Sequence, residues 1–182
     1  MDSEIRALAE RLLDQETFAK ADEFSGLIVR DQHMRWHVIE EMRKYVGMKP
    51  KDPMSFIYED LNKLPRETRN IVWYAGEYID RFIKKFAYRA GKYFLQLKFL
   101  RRRALRSSMG DNLKRLGEVI PDPLFTELSM FNDAIYAPAR VMPSKKAAGP
   151  REFTPQEAIF ICFIMKNLEK KIRPTADAIG LE

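Results

Sequence analysis

The sequence predicts an all-α bundle of about six or seven helices, and three observations carry that reading. Apolar residues recur at three- and four-residue spacing through most of the 182 residues, helix-capping signals open segment after segment, and no alternating run is long enough for a strand. With 46% hydrophobic and 12% aromatic residues, the chain can bury a substantial core.

Ser3 is placed to cap a first helix that carries Ile5, Leu8, Leu12 and Leu13. Thr17 is placed to cap a longer second one, which runs to about Val46 before Gly47 ends it. Its apolar stripe is Phe24, Leu27, Ile28, Met34, Val38, Met42 and Tyr45. Residues 48–53 read as a turn-rich connector, and a short helix follows from Ser55 to Leu61. Pro65 suits the first turn of a helix that the apolar period extends as far as Arg106, about 60 Å at 1.5 Å per residue, with Gly91 a point of division or kinking. Ser108 and Asp111 resemble a capping box, opening a helix through Leu113, Leu116 and Ile120. Asp122-Pro123 starts another, which Pro138 is expected to end near Tyr136, and residues 137–152 form the one long loop. Thr154-Pro155-Gln156-Glu157 joins a cap, a helical proline and a capping-box acid. The helix it opens, to about Ile172, is apolar nearly all round between Ile159 and Met165 and belongs at the centre.

The charge of this chain is local. Arg81 to Arg106 contains ten Lys or Arg and no Asp or Glu; the chain's net charge is +6, so the remainder is net negative by four. On a helix, Lys84, Lys85, Arg89, Lys92, Arg102, Arg103 and Arg106 share one side with Arg81, opposite an apolar stripe, while Lys98 and Arg101 stray toward that stripe. Ordinary exposed helices interleave Glu with Lys to gain pairs one turn apart, so a face without acids is a pointer to a polyanion. Tyr88, Leu95 and Phe99 project on the cationic side, where aromatic groups can stack on unpaired bases. A dimer contact, or a dock for acidic residues such as Asp22, Glu23, Glu40 and Glu41, uses the same charge differently.

A second constellation is Arg30, His33, His37 and Glu41, spaced to share one face of the expected second helix. A His-x-x-x-His pair with a carboxylate one turn on is a metal-ligand spacing, and Arg30 with His37 is an acid–base pairing. The face also holds Lys44 and lies beside the apolar stripe; two solvated histidines on a polar surface is the plainer reading. No metal or other cofactor is therefore expected. Glycine-rich phosphate loops, nucleophile elbows and zinc-finger spacings are missing from the sequence. The single Cys162 lies within an apolar run and is expected to be buried and inert in a reducing, cytoplasmic setting. The longest apolar run, Ala158 to Met165, is too short to span a bilayer, so no membrane is expected as a partner.

The last third has a distinctive layout: Ser108 through Leu116 after a long amphipathic helix, Pro121-Asp122-Pro123-Leu124, Leu128 through Arg140, and Phe153 through Ala158 opening a terminal helix. Over roughly residues 70 to 172 this order of segments resembles the HEPN superfamily, small α-helical bundles common in toxin–antitoxin and other RNA-directed defence systems. The resemblance implies a HEPN-like bundle over 65–182, with residues 1–64 packing on it as an N-terminal helical segment of one compact domain. It also implies homodimerisation and an RNA-related role. Active members resemble one another in an Arg, a polar residue and a His, paired across a dimer to cut RNA without metal. Here Asn132, Tyr136 and Arg140 are the motif remnant; Phe131 stands where Arg is expected and Val141 where a related subgroup has its His. The missing imidazole removes the acid–base group. The expected function is a non-catalytic or catalytically degenerate nucleic-acid-binding protein. A protein–protein adaptor and a metal-independent ribonuclease using Arg30 and His37 are the alternatives.

Overall fold

The computed structural model describes residues 1–30, 33, 35–47, 55–64, 66–140, 151–178 and 180. Its helices are α1 (Ser3–Leu12), α2 (Gln15–Arg30), α3 (Arg35–Val46), α4 (Ser55–Leu61), α5 (Thr68–Tyr93), α6 (Leu100–Arg103), α7 (Met109–Leu116), α8 (Leu124–Phe131), α9 (Ala137–Arg140) and α10 (Pro155–Ala178). Among the described residues there is no strand, and no helix is long and apolar enough to cross a membrane.

α10 lies at the centre, packed against α1, α2, α5 and α8. Its residues Ala158 to Met165 are all buried, as an all-round apolar helix requires. Cys162 is among them, and burial pushes its thiol up to about 12. The capping box at its start is made in both directions: the Glu157 N–H donates to Thr154 Oγ1 at 3.2 Å, and the Thr154 N–H to Glu157 Oε1 at 2.9 Å. Ser108 likewise accepts the Asp111 N–H at 3.1 Å to open α7.

Several expectations are corrected. Asp2, not Ser3, caps α1, accepting the N–H groups of Glu4 and Ile5 at 2.9 and 3.3 Å. Asp14, not Thr17, caps α2, accepting the Thr17 N–H at 2.7 Å. The single helix expected from Thr17 to Val46 is two, α2 and α3. Arg35 explains the joint: its buried guanidinium donates to the carbonyls of Ile28, Asn62 and Leu64 at 3.2, 3.2 and 3.0 Å. It thereby serves one carbonyl in the last turn of α2, that of Ile28, and ties it to the two carbonyls that follow α4.

Pro138 does not end the α8 helix. A π-helical turn, Asn132–Tyr136, joins α8 to α9, so the rod runs on through Pro138 to Arg140. Proline has no N–H for the Ala134 carbonyl four residues back, and Arg151 Nη1 takes that carbonyl instead at 2.6 Å. Residues 137–140 of the expected loop are thus helical, while 141–150, Val141 among them, lie outside the described residues, as do Pro65 and the connector 48–53. α10 continues six residues beyond Ile172.

The largest correction concerns the basic segment. The helix expected to run from Pro65 to Arg106 stops at Tyr93. Phe94 is extended (φ −104°, ψ 119°), and the chain then turns through a 3₁₀ turn at Leu95–Leu97, α6, and a second 3₁₀ turn at Ala104–Arg106. All three pieces pack back on α5. Helix lengths supply the reason. α5 and α10 have 26 and 24 residues, so a rod to Arg106 outruns its partner and leaves Leu97, Leu100 and Ala104 in water. Folded back, all three are buried. Gly91 permits the return: a Cβ there would lie 2.7 Å from the Arg101 nitrogen and 2.9 Å from the Leu97 oxygen. Gly91 is a packing glycine inside α5 and does not divide it.

Candidate nucleic-acid interface

The fold-back gathers the acid-free segment into a hook around the end of α5. Tyr88 from α5 and Lys98, Phe99, Arg101, Arg102 and Arg103 from the returning chain line one cavity of about 630 Å³. Among the described residues no carboxylate lines it, and none pairs with Lys98, Arg101, Arg102 or Arg103. All four cations are exposed. Tyr88 and Phe99 are 40% and 45% exposed, and Arg115 lies with its Cζ 6.0 Å from the Phe99 ring centre.

A second groove of about 620 Å³ lies on the flank of α5 that meets α10. Arg81, Lys85 and Arg89 line its α5 side, with Phe82 and Phe86 between them; Glu169, Arg173 and Asp177 come from α10. This groove has mixed charge. Glu169 is engaged by Lys166 Nζ at 2.6 Å and Arg173 Nη2 at 2.9 Å. Burial raises its pKa, but the hydrogen bond and charge of Lys166, with help from Tyr78 and Arg173, outweigh that and hold it below the usual carboxylate range.

Of the cations and aromatics the sequence assigns to nucleic acid, Tyr88, Phe99, Arg102 and Arg103 share the first cavity, and Lys85 and Arg89 line the second. Lys92 and Arg106 are exposed and line neither; Lys92 Nζ sits 5.5 Å from the Tyr93 ring centre. Lys84 leaves the set, because its Nζ lies 2.7 Å from Oδ2 of Asp80, a carboxylate only 1% exposed. Lys98 and Arg101 enter it. A straight-helix projection turns them toward the apolar stripe, but the extended Phe94 and the 3₁₀ turn reset the phase of everything after residue 93. The exposed Leu95, Phe99 and Leu105 are the signal in the sequence: three large apolar side chains in an acid-free stretch that one helix cannot all bury.

The remnant residues Asn132, Tyr136 and Arg140 sit on the π-turn and α9, and none lines either groove. The buried Tyr136 hydroxyl donates to Glu77 and lies 3.4 Å from Asp80 Oδ2, while Arg140 Cζ stands 5.2 Å from the Tyr136 ring centre. Burial, followed by the hydrogen bond to Glu77, pushes the Tyr136 phenol well above its ordinary range. Asn132 donates to Asp133 Oδ1 at 2.9 Å.

The Arg30–His33–His37–Glu41 face is not assembled as expected. Arg30 ends α2, His33 lies in a turn, and His37 and Glu41 belong to α3, so the four do not lie on one continuous helix. Both histidines are exposed, and neither groove includes them. Among the described residues no three His, Cys, Asp or Glu side chains come together as metal ligands.

No protein-family model matches the chain, and no match to it was found among curated proteins or solved structures.

Proposed function

We propose that this protein binds RNA or another nucleic acid through the hook formed by Lys98 to Arg106 and the adjoining face of α5, without cleaving it. One observation carries the reading: four exposed cations and two exposed aromatic rings line a cavity that no carboxylate of the described residues enters. Unpaired cations at such density repel one another and gain when phosphates displace small counterions. The resemblance to HEPN bundles supports RNA as the polyanion, a cytoplasmic toxin–antitoxin or other defence setting, and a homodimer as the working form. A non-catalytic role is supported by the position of the two histidines at the α2–α3 corner, outside both grooves.

The second reading, an adaptor for an acidic protein, is favoured by Leu95 and Leu105, 84% and 63% exposed beside the same cations. One experiment separates the two. In the variant Arg101→Gln/Arg102→Gln/Arg103→Gln, affinity for a fluorescein-labelled 12-nucleotide RNA at 50 mM salt is expected to fall on the order of a hundredfold or more. Helical circular dichroism is expected to stay unchanged, because all three side chains are exposed. A wild-type protein that does not bind the RNA, or a variant that binds it equally well, overturns the proposal.

A further inference from the structure

Phosphate contacts alone do not account for the two aromatic rings. We infer that the cleft takes a single-stranded segment, with an unpaired base stacked on Tyr88 and Phe99 and its flanking phosphates held by Lys98, Arg101, Arg102 and Arg103. This inference rests on the nucleic-acid reading and specifies the form of the ligand.

The two rings are eleven positions apart in sequence and come from different elements, α5 and the returning chain. They line one cavity only because the chain reverses at Phe94 and packs tightly over Gly91. Each keeps more than a third of its surface in water, although ring burial is strongly favourable. The core is complete without them: Leu97, Leu100 and Ala104 fill the contact between hook and helix. An unpaired base offers an apolar π-face to such rings and a charged backbone to the cations beside them, and every base has that face. A duplex offers neither ring a partner, since its base faces are stacked inside and its outer surface is sugar and phosphate. Duplex RNA brought against this cavity would therefore desolvate Tyr88 and Phe99 without compensation.

The mixed charge of the second groove makes it the poorer site for a strand. Asp177 and Glu169 line it opposite Arg81 and Lys85, and a phosphate backbone laid there would meet carboxylates. The strand is accordingly centred on the hook.

The test compares a labelled oligouridine 12-mer with a blunt 12-base-pair RNA duplex by fluorescence anisotropy, using wild type, Tyr88→Ala, Phe99→Ala and Tyr88→Phe. The expected result has three parts. The single strand binds at least tenfold more tightly than the duplex, and each alanine variant loses on the order of tenfold on the single strand. The Tyr88→Phe protein retains wild-type affinity, and the salt dependence of binding is the same in all four proteins. A Phe99→Trp protein should in addition show quenching of the new indole when the single strand is added. Equal affinity for strand and duplex, with no effect of either alanine, overturns this inference and leaves nucleic-acid binding standing. Binding of neither RNA, or displacement of the oligouridine by polyglutamate of equal charge, overturns the nucleic-acid reading itself.

Discussion

Gly76 faces Tyr136 across the α5–π-turn contact, and the fit there is set by a single missing methyl. A Cβ on Gly76 would lie 2.1 Å from Tyr136 Cδ2, against a ring that is 1% exposed and cannot swing into solvent. Gly76→Ala is expected to cost about 1–3 kcal/mol, seen as a Tm lower by about 2–4 °C for each kcal/mol; an unchanged Tm would mean the ring is not held. Beside the Tyr136 hydroxyl, Asp80 is a buried carboxylate whose Oδ1 has no partner among the described residues. Burial raises its pKa despite the hydrogen bond and charge of Lys84. A carboxyl group whose folded pKa is raised favours the folded state when protonated, and that contribution is lost as pH rises through the folded value. Wild-type stability measured relative to Asp80→Asn should therefore fall between pH 4 and pH 7, read as urea midpoints of the two proteins. A difference that is flat, or that grows with pH, contradicts the assignment. Glu169 has the opposite sign: its lowered pKa gives stability present above the ordinary carboxylate range and lost as pH falls through the folded value. None of this polar cluster was legible in the sequence, because Glu77, Asp80 and Tyr136 meet only through tertiary packing.

At the scale of elements, the hook is the feature that decides what the cations do. Gly91→Ala is expected to lift the returning chain off α5, because the atoms its Cβ would strike are the Arg101 nitrogen and the Leu97 oxygen, both backbone. The expected outcome is a loss of about 1–3 kcal/mol in stability, weaker RNA binding with no charge altered, and faster amide hydrogen exchange at Leu97 and Leu100. Unchanged affinity and exchange would show that the hook does not depend on this contact. Cap chemistry made α7 and α10 legible, since Ser108 and Thr154 act through neighbours three residues away. The division between α2 and α3 and the break at Phe94 were not legible. Neither carries a proline, and apolar residues keep helical spacing across the second, so the period continues through a reversal it does not reveal. Pro138 misled in the other direction, because the π-turn and Arg151 accommodate it.

Across the whole molecule, the excess positive charge lies apart from the apolar core. α10 anchors a single apolar cluster that extends from Ile5 to Ile172, and the excess positive charge is carried on α5 and the hook at its end. The all-α class and the central place of α10 were readable from composition and period, as was the acid-free segment. Its shape was not, since a rod and a hook share the same apolar spacing. The reversal replaces a linear track with a concave site, and this makes a compact, few-phosphate contact the expectation. The salt dependence of RNA affinity reads that contact directly. For the four cations of the cleft on single-stranded RNA, log K should fall with log salt with a slope of about −3, and with a slope of about −1 once Arg101, Arg102 and Arg103 are replaced by Gln. A slope near zero in the wild type, or one the triple replacement leaves unaltered, would contradict the claim that this basic hook exists to hold phosphate.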